Sequence, residues 1–352
     1  MGSEFRMVKL IIVLLCLLLV PMASAQDAAI PASYQLSGFT HIYQHWNNCG
    51  PATLTMALTH YGYVADQTPA ANWLKPNTED GNVSPWQMTE FVNTQAAGTT
   101  MALWRYGGTL ERIKTLIANG FPVIIEEGYQ PLDRDGHDLG WMGHYLLVTG
   151  YDDMQQAFYT QDSYIGPNQA YAYDHLDEFW QHFNRVYIVL YDASQEQTVL
   201  SLLDTDADPQ QNAVNALEAA RAEALADPNN HFAWFNMGTS FVALGMDQEA
   251  AVAYDQARTV GGGLPWRMLW YQFGPYEAYN AVGRYQDTFD LAAAVIANSG
   301  TARYIEETYY YAGVAREALG ETQRALDNYR AAVDLNSNYV LAIEARNRLQ
   351  GS

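Results

Sequence analysis

The rhythm of apolar positions changes twice along the chain. An unbroken apolar run from Leu10 to Val20 stands behind Arg6 and Lys9, and Pro21 and the small-residue triplet Ala23-Ser24-Ala25 follow it. From 26 to 195 short apolar or aromatic runs of strand length, Phe121-Pro-Val-Ile-Ile125 and Ala157-Phe-Tyr-Thr160 among them, mix with helical spacing such as Leu54, Leu58 and Tyr61 with Ala57 beside them. Around 194–210 the chain turns polar and acidic, through Ser194-Gln-Glu-Gln to Asp204-Thr-Asp-Ala-Asp-Pro209. Beyond it the texture is Ala-rich and helical, punctuated by Gly and Pro. The pattern predicts a leader over 1–25, a mixed α+β domain over 26–195, an acidic linker over 196–209 and an all-α region over 210–352.

The leader has a positive flank, a short apolar core and a small-x-small exit, the signature of a secretory signal peptide cleaved after Ala25. Its apolar run is shorter than the roughly 20 residues that span a bilayer. Leu15 before Cys16 lacks the small residue that a lipid-anchored leader places there. The mature chain is therefore expected to be secreted, extracytoplasmic and without a stable membrane anchor. Gly2-Ser3-Glu4-Phe5 reads as a cloning scar ahead of a natural start at Met7.

The all-α region repeats itself. Trp234, Gly238, Phe241, Gly245, Ala250, Tyr254 and Ala257 follow the spacing of a helix-turn-helix unit of about 34 residues, and Tyr309, Gly313, Gly320, Ala325, Tyr329 and Ala332 repeat it. A middle unit keeps Tyr279 and Gly283 but has Gln272 and Thr288 where an aromatic residue and Ala are usual. Residues 210–226 read as a half-repeat cap and 339–349 as a closing helix. The pattern resembles the tetratricopeptide repeat, which implies a solenoid whose concave surface holds a peptide or an unidentified protein partner.

With Cys16 in the leader, one cysteine remains in the rest of the chain, Cys49. A lone cysteine of an exported chain is a buried inert thiol, an intermolecular bridge or a nucleophile. In Gln44-His45-Trp46-Asn47-Asn48-Cys49-Gly50-Pro51, Pro51 suits a first helical turn and Gly62 a stop, so Cys49 opens an apolar-faced helix. There the helix dipole and free amides favour a thiolate. Such a nucleophile needs a proton carrier and an orienting group. Gly143-His144-Tyr145 begins one strand-like run and Asp162 ends the next. A hairpin turning about Asp153 would set His144 directly opposite Asp162, letting the carboxylate hold one ring nitrogen and aim the other at Cys49. Gln44 offers a side-chain amide to a tetrahedral oxyanion, beside the Cys49 backbone N–H; taken alone it is equally a glutamine in a polar loop.

The run Asn48-Cys49-Gly50-Pro51-Ala52, then Gly143-His144-Tyr145 with Gly150-Tyr151-Asp152-Asp153, then Asp162, resembles the double-glycine peptidase family, papain-like cysteine peptidases best known for cutting leaders from exported peptides. The resemblance covers about 36–192 and implies Cys49 as nucleophile, His144 as general base and acid, Asp162 as orienter and Gln44 in the oxyanion hole. Gln44 precedes the cysteine by five residues where transporter-fused relatives usually have six. The transporter's membrane and ATPase parts are missing from this sequence, so the likeness is to a free-standing secreted branch. The fold implied is an α+β papain-like domain followed by an all-α tetratricopeptide-repeat solenoid. The function implied is a secreted cysteine peptidase acting on a peptide or protein. Alternatives are a binding module that no longer turns over, and an amidase or acyltransferase using the same three residues.

Composition narrows the field further. With 18 Lys+Arg against 39 Asp+Glu, a formal net charge of −21 excludes a phosphate-backbone binder. His41, His45, His60, His175 and His182 show no metal-ligand spacing and read as structural. Asp133 to Asp138 lacks the closing glutamate of a calcium loop and reads as a loop over the cleft. No cofactor is expected. Glu126-Glu127 reads as the end of a buried strand, and Trp46 and Trp141 as packing residues or groove walls.

Overall fold

The computed structural model describes residues 30–96, 98–132, 135–297 and 303–351. The expected signal peptide over 1–25, with Cys16, lies outside them, as do Asp133 and Arg134 of the loop expected over the cleft. Pro31–Ser352 forms one compact unit.

The first half orders its elements as β1 (Ser33–Gln35), α1 (Cys49–Thr59), α2 (Thr68–Leu74), α3 (Pro85–Thr94), β2 (Thr100–Arg105), α4 (Leu110–Ala118), β3 (Val123–Tyr129), β4 (Met142–Asp152), β5 (Ala157–Asp162), β6 (Gly166–Ala172), α5 (Tyr173–Trp180) and β7 (Tyr187–Asp192). Its antiparallel sheet runs β2-β7-β3-β4-β5-β6, with β1 beside the far end of β4. Tyr145, Leu147, Ile124, Ile188 and Leu190 pack under α1, α2 and α3 with Leu54, Leu58, Leu74 and Phe91. Leu146, Val148 and Ile125, of the opposite parity, are also buried, so the middle strands read as continuous apolar runs.

The β4–β5 hairpin does not turn about Asp153. Asp152 pairs with Ala157 and Leu146 with Asp162, the ladder slipping at a bulge between Val148 and Gly150. Thr149 there accepts from Leu36 N at 2.8 Å and from the Gln35 amide at 3.1 Å, so β1 holds the bulge. The pairing differs from the expected one by two residues, which keeps the face: His144 sits diagonally from Asp162 rather than opposite it.

The linker expected over 196–209 is a folded joint. It contains α6 (Glu196–Leu203), with Val199 and Leu203 fully buried, and a short 3₁₀ turn over Asp204–Ala207. Its acidic residues and carbonyls bind the first half: Arg105 donates to the Asp206 and Ala207 carbonyls at 2.6 Å each, and Arg112 pairs with Asp206 at 3.2 Å.

The second half is all helix: α7 (Pro209–Ala226), the pairs α8 (His231–Ala243) with α9 (Asp247–Thr259), α10 (Gly274–Ala281) with α11 (Tyr285–Ala297), α12 (Glu306–Ala318) with α13 (Thr322–Leu335), and closing α14 (Val340–Gln350). Gly245, Gly283 and Gly320 turn each pair with φ of 70°, 77° and 76°, a left-handed value that favours glycine. The residue after each donates back over the turn: Met246 to Phe241 O at 2.9 Å, Arg284 to Tyr279 O at 2.7 Å, Glu321 to Arg316 O at 2.9 Å. A Cβ at Gly238 would meet the Tyr254 ring at 2.5 Å, and one at Gly313 the Tyr329 ring at 2.6 Å, so the same glycine–tyrosine contact closes the first and last pairs.

The repeats lie against the first half and satisfy its backbone. Asn236 donates to Gln181 O at 2.8 Å, Asn336 to Leu74 O at 3.1 Å and Asn338 to Trp73 O at 2.9 Å. Gln272, which departs from the repeat pattern, donates to His182 O at 2.9 Å. Trp141 stacks on Phe183 at 5.6 Å and meets Tyr271 of the repeats edge-on at 5.8 Å, so it packs within this joint. The repeats thus engage the chain's own first half.

Candidate active site

Cys49 is the first residue of α1, with Pro51 in the first turn and the helix closing at His60 before Gly62. The loop before it is held by a buried glutamine that sequence reading missed. Gln67 accepts from His45 N at 2.9 Å and the Asn48 amide at 3.1 Å, and donates to Tyr43 O at 2.8 Å. One side chain therefore fixes three points of the approach to Cys49.

His144 lies on β4, 4% exposed, with Nε2 3.0 Å from Asp162 Oδ1. Nδ1 is the ring nitrogen left for the thiol, and Cys49 and His144 each shift the other's titration. Asp162 is fully buried at the end of β5. Its Oδ1 also accepts from Tyr164 N at 2.8 Å and Ile165 N at 3.1 Å, and its Oδ2 from the Tyr171 hydroxyl at 2.7 Å. Tyr171, on β6, has no sequence signal linking it to the site; it pairs with Phe158 across the sheet, and only the fold brings it near. The Tyr129 ring covers His144, centroids 5.1 Å apart.

These contacts set the charges. Burial pushes the Cys49 thiol up, but the His144 hydrogen bond and charge, with the Tyr145 and Gly50 backbone N–H groups, outweigh it and leave the pKa below its ordinary value. Burial opposes protonation of His144, yet its bonds to Asp162 and Cys49 raise it to about 10. Burial likewise works against the Asp162 carboxylate, and His144 and Tyr171 overcome it, lowering Asp162 to about 2. These directions favour a thiolate at Cys49 beside an imidazolium at His144, steadied by the Asp162 carboxylate.

Gln44 is partly buried at the same edge. Its backbone N–H donates to Ser163 O at 2.9 Å, and its Oε1 accepts from the Ser163 hydroxyl at 2.9 Å. With the oxygen tied down beside Asp162, the NH₂ is left as a donor. Trp46, 69% exposed, stands on the loop before Cys49.

Glu126 and Glu127 lie inside β3 rather than at its end, both are buried, and neither is a bystander. Glu127 pairs across β3–β4 with His144 and so shares its face. Its Oε2 has no partner, and burial raises its pKa to about 8. Glu126 pairs with Tyr145 on the other face. The site was read from sequence without either. No group of His, Cys, Asp or Glu among the described residues is arranged to hold a metal ion.

Residues 29–195 match the model of the Peptidase_C39 like family. The first half of this chain is a C39-like domain. Among solved structures, a C39-like peptidase from Bacillus anthracis is 19% identical, with 46% of this chain and 98% of that one covered and a TM-score of 0.37. The structure of MamA is 16% identical, covering 40% of this chain and 78% of that one, with a TM-score of 0.34. A double-glycine motif protease from an AMS/PCAT transporter, solved with its leader peptide, is 17% identical over 45% of this chain and 91% of that one, at a TM-score of 0.30. No curated protein matches the chain.

Proposed function

We propose that the C39-like domain is a cysteine peptidase with Cys49 as nucleophile. The observation that carries the reading is His144 held between Cys49 and the fully buried Asp162. The Cys49 thiolate attacks the peptide carbonyl carbon, and the charge that develops on oxygen meets the Cys49 backbone N–H and the Gln44 amide. The imidazolium of His144 gives its proton to the departing amine. His144 then takes a proton from water, whose oxygen attacks the thioester and releases the acid and the thiolate. Asp162 keeps the ring oriented and stabilises its charge throughout. The substrate is a peptide or protein, and the leader with its Ala23-Ser24-Ala25 exit would send the enzyme out of the cytoplasm.

Digestion of a peptide library, read by mass spectrometry, tests this. The native chain should give fragments that Cys49→Ala does not give. Identical fragments from both, or none from either, would return the domain to a binding role.

A further inference from the structure

A cavity of about 200 Å³ lies where the C39-like domain meets the repeats. Trp86, Trp104 and Phe183 line it from the domain, Tyr271 and Phe273 from the repeats, and Glu126 and Glu277 supply the carboxyl groups among its described lining residues. Among the described residues, no Lys, Arg or His lines it. Trp86 and Glu277 are exposed and mark its open side; Glu126, 3% exposed, marks its closed one.

The cavity adjoins the catalytic groups. A Cβ added to Gly143, the residue before His144, would meet Phe183 Cζ at 2.8 Å, Tyr271 Cδ1 at 3.0 Å and Glu126 Oε1 at 3.2 Å, so three lining residues close on the backbone of the His144 strand. Glu126 and Tyr271 both lie within the field of Cys49. At this volume it is smaller than the roughly 300–1,000 Å³ of pockets that take drug-sized ligands, a size suited to one side chain of a longer chain passing Cys49.

Its chemistry selects the side chain. Aromatic faces carry negative charge at their centres and attract cations. Two carboxyl groups without a basic counterpart add to that attraction, and the chain's net charge of −21 draws basic peptides toward it. An acidic side chain would meet two further acids, and a neutral apolar one would leave both carboxyls without a cation beside them. Burial holds Glu126 well above the usual carboxylate range, so an arriving ammonium or guanidinium would supply the charge that its ionised form lacks.

We infer that this cavity is the specificity pocket for a lysine or arginine side chain of the peptide substrate, built jointly by the C39-like domain and the repeats. The inference rests on the peptidase reading for its purpose, while its binding chemistry is independent of turnover.

The test begins with the full-length Cys49→Ala chain, titrated with Nα-acetyl-lysine methylamide and with the norleucine counterpart, following indole fluorescence. The lysine compound should bind at least about tenfold more tightly. Glu126→Gln should erase that preference, and Glu277→Gln, at the exposed rim and less able to disturb folding, should reduce it. Equal affinities, or a preference that survives both changes, would overturn the inference. In the native chain, library cleavages should fall at a fixed distance from Lys or Arg. Cleavage with no basic preference would remove the pocket and leave the peptidase; a lysine preference in Cys49→Ala with no cleavage by the native chain would remove the peptidase and leave the pocket.

Discussion

At the scale of single residues, the chemistry turns on how firmly His144 keeps its proton. An ordinary thiol of pKa near 8.5 loses about 75-fold in thiolate between pH 8 and pH 6. The imidazolium holds the Cys49 thiolate further down the scale. In a Cys16→Ser chain, alkylation by iodoacetamide at pH 6 should therefore stay within a few-fold of its rate at pH 8. Asp162→Asn removes the charge that raises His144, so the rate at pH 6 should fall by about tenfold or more. A rate that tracks an ordinary thiol in the native chain would mean that the ion pair does not form. Tyr171 belongs to the same network, since its hydroxyl occupies the carboxylate oxygen that His144 does not use.

At the scale of elements, the repeat pairs depend on the closeness that glycine allows. Gly238→Val would force a side chain into the Tyr254 ring, and overpacking of this kind costs about 1–3 kcal/mol. The urea midpoint should drop accordingly, whereas Gly262→Ala, with nothing within reach of its Cβ, tests the left-handed backbone at φ 89° alone and should cost less. These helices were legible because their signals are local: a turn glycine, a facing tyrosine, a proline in the first turn. The start of α1 at Cys49 was legible for the same reason. The hairpin register was not, because the bulge at Thr149 is held by β1, more than a hundred residues away. Gln67, Tyr171 and Glu127 escaped notice because each reaches the site across the fold rather than along the chain. The acidic stretch after Ser194 was taken for a linker because its partners, Arg105 and Arg112, lie far back in the sequence.

At the scale of the molecule, the joint between the halves buries carboxyl groups. Asp80 from the first half and Glu306 from the repeats each act on the other's titration, and Asn336 donates to Glu306 at 2.7 Å. Burial raises Asp80, Glu306 and Glu307, as it does Glu126 and Glu127. An acid whose folded pKa is raised binds more protons folded than unfolded, so stability falls as pH climbs through that range. His144, raised to about 10, acts in the same direction above pH 6.5, but Cys49, lowered by the same contact, acts oppositely there, so the pair largely cancels and the buried carboxyls set the trend. The half-buried His182 and His231 have lowered values and oppose this only below about pH 6.5. The urea midpoint should therefore be higher at pH 6.5 than at pH 8, and the reverse order would show that these carboxyls ionise freely. The joint also places a limit on the repeats themselves. Gln272 sits where the pattern wants an aromatic ring, and it is the side chain that reaches the His182 carbonyl. Drift toward the consensus at that position would regularise the solenoid while loosening its grip on the neighbouring half, so irregularity there is the mark of a repeat array fitted to one companion.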